Sequence, residues 1–270
     1  MISSTANPTI KRLALLRERR GRLEQGLFLV EGVRAVEEAL GALLGPEIVL
    51  VAPESLRATA RGRALRERLL HGSAAQVTLE VTPAVLRRVA DTETPAGVVA
   101  ALPRKPIGDL ALLPRDKGLA LVLDGVADPG NAGTILRTAA AAGVDGVIAL
   151  PGCADLYAPK VVRAAMGAHV RLPLAVDVEP AALAPWLLAR GDTLLADAHA
   201  GDTVYDRDLR GPVVLVVGGE AHGALHAGEL QGIQPVDIPM PGGAESLNVA
   251  VATSVILFEV LRQRRGVNLT

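Results

Sequence analysis

The stretch LALVLDGV, Leu119–Val126, decides the fold of this chain. It opens with five apolar residues and ends its apolar run at Asp124 and Gly125. Such a run, bounded by a turn signal, is typical of a central strand in a parallel sheet, where both faces of the strand are covered. Glycine directly after the strand favours a loop whose backbone approaches a ligand. The stretch therefore predicts an α/β domain with a binding edge after Asp124.

The sequence on either side of this strand repeats the order strand, loop, helix. NAGTILRTAAAAG predicts a helix that ends at Gly143, and SLNVAVATSVILFEVLRQRR predicts the last helix of the chain. Further predicted strands are GVIAL (146–150), TLLADA (193–198) and PVVLVVGGE (212–220). Repeated units of this kind build a doubly wound parallel sheet, in which ligands bind beyond the carboxyl ends of the strands.

The N-terminal half alternates in the same way. Predicted strands cover 26–32, 47–52, 75–81 and 97–102, and predicted helices cover 9–20, 33–44, 55–70 and a segment that Thr82 caps. This pattern predicts a small α/β sandwich. The segment 103–118 contains three prolines and two glycines between apolar residues, which is typical of a linker. We therefore predict one domain at 1–103, a linker at 104–117 and a second domain at 118–270.

Composition and charge indicate the cellular compartment and the class of binding partner. The single cysteine, Cys153, forms no internal disulfide, and no apolar run approaches the roughly 20 residues of a membrane span, so we expect a cytoplasmic protein. Residues 1–115 contain 17 Lys and Arg against 12 Asp and Glu, whereas residues 116–270 contain 11 against 17. This asymmetry predicts that the first half binds a polyanion. The densest basic stretch, IKRLALLRERRGR, contains Lys11, Arg12, Arg17, Arg19, Arg20 and Arg22.

Three glycine-containing loops, DGVADPGNAG, GGEAHG and MPGGAESLN, follow predicted strands of the second half. Because the carboxyl ends of parallel strands lie at one edge, these loops predict one composite pocket. The first loop lacks the G-x-G-x-x-G spacing, and the chain has no G-x-x-x-x-G-K-[ST] loop. Ordinary nicotinamide and ATP sites are therefore disfavoured.

These three loop regions also contain polar residues that are candidates for a functional site. Asn131 occupies the expected N-cap of a helix, and Arg137 follows about 9 Å further along its axis, from where its side chain leans back towards the helix N-terminus. Each residue also has a simpler interpretation, as a helix cap, a first-turn acid or a surface charge. The candidate residues are Asn131, Arg137, Glu220, Ser246 and Asn248.

Metal and thiol chemistry are disfavoured. His222 and His226 are four residues apart, but Gly223 weakens a helix between them and the spacing is not H-E-x-x-H. Cys153 has no base close to it in sequence. We therefore expect no metal and no catalytic thiol.

The three loop regions carry a resemblance to a known family. Asp124–Gly143, Val213–Gly223 and Ile238–Ala252 resemble the three motifs of the SpoU (TrmH-type) 2′-O-ribose RNA methyltransferases of the SPOUT superfamily, in the same order. The resemblance covers Leu119–Arg265. The N-terminal half is similar to the small L30e-like substrate-binding domain of that family in size, alternation and basicity.

The resemblance implies a parallel-sheet domain with a deep trefoil knot, a rare exception to the usual topology. It implies that S-adenosylmethionine binds against the backbone of Gly218, Ile238 and Leu247, and that the protein is a homodimer packed through the knotted region. It also implies that a shared reaction centre is faced by Asn131, Arg137, Glu220, Ser246 and Asn248.

The activity that the resemblance implies is methylation of a ribose 2′-hydroxyl in RNA. The basic N-terminal domain favours ribosomal RNA, and the six basic residues of the stretch IKRLALLRERRGR are expected to bind its phosphates. Arg137 is expected to polarise the hydroxyl and orient a phosphate, since arginine remains protonated and is rarely a base. Three alternatives stay open: a transfer RNA 2′-O-methyltransferase, an inactive RNA-binding relative and, disfavoured by the missing glycine spacing, a nucleotide-dependent oxidoreductase.

Overall fold

The computed structural model describes residues 1–41, 45–104, 110, 118–190, 192–220 and 222–265. The chain forms two compact units. The first contains Met1–Lys105 and Tyr157–Arg171, and the second contains Pro106–Leu156 and Leu172–Thr270. Most of the linker predicted at 104–117 lies outside the described residues, as do residues 42–44 at the end of a predicted helix. Tyr157–Arg171 belongs to the first unit, although it lies within the predicted 118–270 domain.

The described part of the chain contains ten α-helices and ten strands. The strands are β1 Leu27–Glu31, β2 Ile48–Val51, β3 Thr78–Glu80, β4 Val98–Pro103, β5 Leu119–Asp124, β6 Gly146–Ala149, β7 Leu174–Ala175, β8 Asp192–Ala196, β9 Val213–Gly218 and β10 Ile233–Val236. The helices are α1 Pro8–Ala14, α2 Arg19–Gln25, α3 Val33–Leu40, α4 Ala60–His71, α5 Pro83–Val89, α6 Pro129–Ala142, α7 Pro159–Ala165, α8 Ala168–Arg171, α9 Pro180–Leu188 and α10 Val249–Arg265.

The first unit is built on a four-stranded mixed sheet of order β1-β4-β2-β3. Strand β4 runs antiparallel to both β1 and β2, and β3 runs parallel to β2. Helices α1 and α5 bury Ile10, Leu13, Val85 and Leu86 in the core of this unit. The predicted cap of α5 is present, because the Thr82 hydroxyl accepts the Val85 N–H at 3.4 Å. Buried apolar side chains of this kind supply most of the stability of so small a sheet.

The continuous helix predicted at 9–20 is wrong. Helix α1 ends at Ala14, a 3₁₀ turn covers Leu15–Arg17, and Glu18 is extended before α2 begins. The backbone turns here because Gly21 packs against Leu15, where a Cβ on Gly21 would lie 2.1 Å from the Leu15 carbonyl oxygen. Short 3₁₀ turns also replace the start of the helix predicted at 55–70 and of the strand predicted at 75–81.

The second unit is built on a six-stranded sheet of order β10-β8-β9-β5-β6-β7 in which each neighbouring pair is parallel. Leu121, Val122 and Leu123 of β5 are fully buried. The prediction of a central parallel strand is therefore confirmed. Asp124 at the end of β5 stands in register with Gly218 at the end of β9, so both loops that follow lie at one edge of the sheet.

The sequence analysis assigned no residue ranges to three elements of this unit, and their sequences explain why. Strand β7 has two residues, which is too short for a periodicity signal. Strand β10 contains Pro235, which a sheet tolerates only at an edge, and β10 is an edge strand. Helix α9 contains Pro185 and is apolar almost throughout, so it shows no amphipathic pattern.

Helices α6 and α10 open towards this edge, and the cap of α6 differs from the prediction. The N-cap of α6 is Asp128, whose carboxylate accepts the Asn131 N–H at 2.8 Å. The expectation that Asn131 is the cap is therefore wrong, and its side chain is available for other contacts. Helix α10 is capped by Asn248, whose Oδ1 accepts the N–H groups of Ala250 at 3.0 Å and Val251 at 3.3 Å.

Candidate active site

A cavity of about 810 Å³ lies where β8, β9 and β10 end and α10 begins. All three residues predicted to bind the cofactor, Gly218, Ile238 and Leu247, line it. Glu220, Ser246 and Asn248 line it as well. The cavity therefore lies beyond the carboxyl ends of parallel strands, as expected for a ligand site of this architecture.

Three of the five candidate polar residues are joined by hydrogen bonds. The Asn131 Nδ2 donates to Glu220 Oε1 at 3.1 Å, and the Asn248 Nδ2 donates to the same oxygen at 2.5 Å. The Asn248 Nδ2 also lies 3.0 Å from Asn131 Oδ1. Residues from three separate segments, separated by 28 to 117 positions in sequence, thus form one polar cluster at the cavity. Its carboxylate holds both amides in fixed orientations.

The side chains of the other two candidates have no hydrogen bond or ion pair with a described residue. Ser246 is exposed at the cavity wall. Arg137 is exposed on α6 and forms no hydrogen bond or ion pair with any residue that the structure describes. An unpaired guanidinium keeps all five donors for an incoming phosphate or hydroxyl.

Glycine is required in these loops because their backbones touch each other. A Cβ on Gly218 would lie 2.2 Å from the Ala224 nitrogen, and a Cβ on Gly219 would lie 2.3 Å from the Gly125 carbonyl oxygen. Neither contact can relax by moving a flexible side chain, since both partners are backbone atoms. The glycines therefore allow the first two loops to pack together and shape the cavity wall.

A buried carboxylate joins the same two loops. Asp124 is fully buried, and its two oxygens accept the backbone N–H of His226 at 2.8 Å and the His226 Nδ1 at 2.6 Å. Because an ionised carboxylate only accepts, the proton of the imidazole is assigned to Nδ1. Sequence reasoning did not select Asp124 as a site residue. The available signal was an acid that closes an otherwise apolar strand.

The structure also describes the surroundings of the residues considered as metal ligands or as a catalytic thiol. Among the described residues there is no group of three or more His, Cys, Asp or Glu side chains that could hold a metal ion. Burial raises the pKa of the Cys153 thiol to about 11, and its sulfur lies 3.2 Å from the Leu123 carbonyl oxygen. At neutral pH this cysteine is a thiol, which is a poor nucleophile.

The basic residues of the first helices fall into two groups. Lys11, Arg17 and Arg19 are exposed, whereas Arg12 pairs with Glu47 at 3.1 Å and Arg20 with Glu24 at 2.6 Å. These last two nevertheless keep part of their side chains in solvent.

The structure contradicts the prediction that Arg22 binds RNA. It is 3% exposed, and its Nη1 donates to the carbonyl oxygens of Leu16 at 2.9 Å and Arg17 at 2.8 Å. The guanidinium closes the turn between α1 and α2 and exposes almost no surface that an RNA could contact.

No helix in the described ranges is long and apolar enough to cross a membrane.

Comparison with known proteins supports one family for the whole chain. Residues 118–258 match the SpoU rRNA Methylase family, and residues 7–100 match the MRM3-like substrate binding domain. An uncharacterized tRNA/rRNA methyltransferase of Synechocystis is 35% identical over 97% of this chain and 94% of its own length. The 23S rRNA (uridine(2479)-2′-O)-methyltransferase of Streptomyces viridochromogenes is 34% identical over 93% of this chain and 88% of its own length.

A solved structure shares this fold. The SpoU methyltransferase AviRb of Streptomyces viridochromogenes, crystallised with AdoMet, superimposes with a TM-score of 0.82 at 31% identity, covering 96% of this chain and 98% of its own. The α/β architecture with a parallel sheet, the polar cluster at the sheet edge and these matches lead to one conclusion. The chain belongs to the SpoU rRNA methylase family.

Proposed function

We propose that the protein transfers a methyl group from S-adenosylmethionine to a ribose 2′-hydroxyl of ribosomal RNA. The observation that carries this proposal is the polar cluster of Asn131, Glu220 and Asn248 at the cavity that Gly218, Ile238 and Leu247 line. Relatives named as 23S rRNA 2′-O-methyltransferases support the substrate class and the reaction.

The residues of the cavity suit this cofactor. Its volume of about 810 Å³ is in the range of sites for ligands of this size, and Ile238 and Leu247 offer apolar surface for an adenine. Asp197 and Glu245 also line the cavity, and carboxylates favour a ligand that carries an ammonium and a sulfonium. When bound, S-adenosylmethionine supplies a methyl carbon that is activated for displacement by an oxygen nucleophile.

The side chains of the chain then position the ribose. The Arg137 guanidinium is exposed and unpaired within the described residues, so its donors are available to the RNA. Arg137 binds the phosphate next to the target nucleotide and polarises the 2′-hydroxyl of that nucleotide. Glu220 holds the amides of Asn131 and Asn248, and these amides with the Ser246 hydroxyl orient the ribose. Holding the reacting atoms in line is the main contribution that such a site makes to the rate.

The first unit binds RNA through its exposed cations. The side chains of Lys11, Arg17 and Arg19 are exposed and contact phosphates, and Arg12 and Arg20, which pair with Glu47 and Glu24, contribute less. Contacts of this kind position an RNA without reading its sequence. The mixed sheet and flanking helices of this unit support an L30e-like substrate-binding domain.

The second unit is further proposed to contain a deep trefoil knot and to form a homodimer through it. Support for the dimer comes from α10, where Val251 and Phe258 are 49% and 50% exposed and lie two turns apart on one face. A single cysteine, Cys153, supports a cytoplasmic setting.

A transfer RNA substrate is the second candidate, since the Synechocystis relative is named a tRNA/rRNA methyltransferase. An inactive RNA-binding relative is disfavoured because Asn131, Glu220 and Asn248 are joined at the cavity, and capping of α10 by the Asn248 Oδ1 accounts for only one of these side chains.

The test is transfer of tritium from methyl-labelled S-adenosylmethionine to ribosomal RNA and, separately, to transfer RNA, both from a strain that lacks this gene. We expect label in ribosomal RNA that nuclease digestion releases as a 2′-O-methylnucleoside. Label only in transfer RNA would support the second candidate. Tight cofactor binding without label in either RNA would support the inactive relative, and failure to bind the cofactor would overturn the proposal.

A further inference from the structure

We propose that Asp124 and His226 form a positioning pair that holds the two loops of the catalytic cluster in register. The loop after β5 leads to Asn131, and the loop after β9 contains Glu220. Neither Asp124 nor His226 lines the cavity, so the pair acts through other residues. The inference rests on the proposed function only for its effect on catalysis, because its effect on loop structure is measurable without RNA.

Besides the bond between Asn131 and Glu220, three contacts join the described residues of the two loops close to the strand ends. One is the Asp124–His226 pair, with bonds of 2.6 Å and 2.8 Å. The second is the close approach of Gly125 to Leu225, where a Cβ on Gly125 would lie 2.7 Å from Leu225 Cγ. The third is the approach of Gly219 to the Gly125 carbonyl oxygen. Only the first of these contacts contains hydrogen bonds, which fix direction as well as distance.

The pair is able to fix the loops because its carboxylate has no exposure to solvent. Asp124 is 0% exposed, and among the described residues only His226 donates to it. A buried carboxylate that loses its donors is costly, so the loop after β9 is favoured in the one position where His226 reaches it.

Short covalent and hydrogen-bonded paths lead from the pair to the cluster. On one side, Asp124 is four residues before Asp128, which caps α6 and so sets the place of Asn131. On the other side, reciprocal backbone bonds between Gly219 and Gly223, of 2.8 Å and 3.0 Å, close the turn that presents Glu220. Displacement of His226 is therefore transmitted to the bond between Asn131 and Glu220.

Three substitutions of His226 distinguish loss of the hydrogen-bond donor from loss of side-chain volume. His226→Asn places an amide N–H where Nδ1 donates, His226→Gln moves the amide one bond further out, and His226→Ala removes the donor. We expect His226→Ala and His226→Gln to lower kcat of methyl transfer by about 10- to 100-fold, the range for loss of one charged hydrogen bond. We expect His226→Asn to stay within about threefold of the wild type. His71→Ala, at an exposed histidine of the first unit, is the matched control.

Hydrogen exchange of peptides covering 219–226, measured by mass spectrometry without RNA or cofactor, reports on the loop alone. We expect faster exchange in His226→Ala and His226→Gln, and wild-type exchange in His226→Asn and His71→Ala. Equal exchange and equal kcat in all variants would overturn the inference. If the wild type methylates no RNA, the proposed function fails, and the exchange result still decides the role of the pair. If His226→Ala does not fold, the comparison of His226→Asn with His226→Gln decides it.

Discussion

The polar side chains at the sheet edge of the second unit and the cations on the first helices of the first unit differ in what holds them. At the sheet edge, Asn131, Glu220 and Asn248 are held by one another and by loops packed through glycines. On the first helices, the Arg22 guanidinium is bound to backbone carbonyl groups. The side chains of Lys11 and Arg17, in contrast, have no partner among the described residues. The difference shows that a motif with set spacing predicts an arrangement, but a run of like charges does not predict which of its members are available.

The two regions therefore should respond differently to substitution. Changes at the sheet edge should lower the rate at saturating RNA, because they disturb the geometry around the reacting atoms. Changes among the free cations should weaken RNA binding in a salt-dependent manner and leave the rate at saturation intact.

The largest effect is expected for Arg137→Ala. Because this guanidinium is exposed and unpaired among the described residues, its loss should lower methyl transfer by about 10²- to 10³-fold and change the free energy of unfolding by less than about 0.5 kcal/mol. Arg210→Ala, at an exposed arginine that pairs with Asp208 in the same unit, is the control. Single-turnover kinetics and urea denaturation measure both quantities. Full activity of the Arg137 variant would remove this residue from the reaction centre.

Asn248 has two roles that substitution can separate. Serine caps a helix about as well as asparagine, so Asn248→Ser should retain stability but lose the amide that bonds Asn131 and Glu220. Asn248→Ala should lose about 1 kcal/mol of stability as well. Both variants should lower kcat by about 10- to 100-fold. A serine variant with wild-type kcat would show that the amide only caps α10.

Gly218→Ala tests the packed loops. The added Cβ meets the backbone at Ala224, and overpacking of about 1–3 kcal/mol should raise the dissociation constant of S-adenosylmethionine by about tenfold or more. Gly211→Ala, where a Cβ meets no atom within 4 Å, should bind the cofactor like the wild type. Isothermal titration calorimetry makes the comparison. Equal affinity of the two variants would mean that this wall does not shape the cofactor site.

The smallest effects on activity are expected in the first unit. Arg22→Ala should destabilise the protein by about 1–3 kcal/mol because it unpairs buried carbonyl groups, without changing how RNA affinity depends on salt. Lys11→Ala should leave stability unchanged and reduce the slope of log affinity against log salt by about one. Filter binding over a series of salt concentrations measures the slopes. A reduced slope for Arg22→Ala would mean that this arginine does bind RNA.

The accuracy of the predictions from sequence depended on the kind of sequence pattern behind them. The apolar run of β5 predicted the parallel sheet, and the three loop motifs indicated the family, which is confirmed. The helix predicted at 9–20 failed because the contact of Gly21 with Leu15 is tertiary and leaves no mark on helical periodicity. The cap of α6 was misplaced by three residues, since Asp128 and Asn131 are both good caps and only the backbone selects between them.

Pairing between distant residues was the least predictable feature. His226 was considered only as a possible metal ligand, because nothing in the sequence relates it to Asp124, 102 positions away. The burial of Arg22 and the pairing of Arg12 with Glu47 are likewise products of the packed unit. Sequence spacing specifies neighbours along an element, whereas these contacts depend on how elements meet.

The most direct test of this division between binding and catalysis is the rate of methyl transfer as a function of ribosomal RNA concentration. It compares two proteins, the double variant Lys11→Ala/Arg17→Ala and the single variant Asn131→Ala. We expect the double variant to need about 10-fold more RNA for half-saturation and to reach the wild-type rate, since each lost phosphate contact weakens binding alone. We expect Asn131→Ala to keep the wild-type half-saturation and lose about 10-fold or more in kcat. A fall in kcat for the double variant, or an unchanged kcat for Asn131→Ala, would contradict the account.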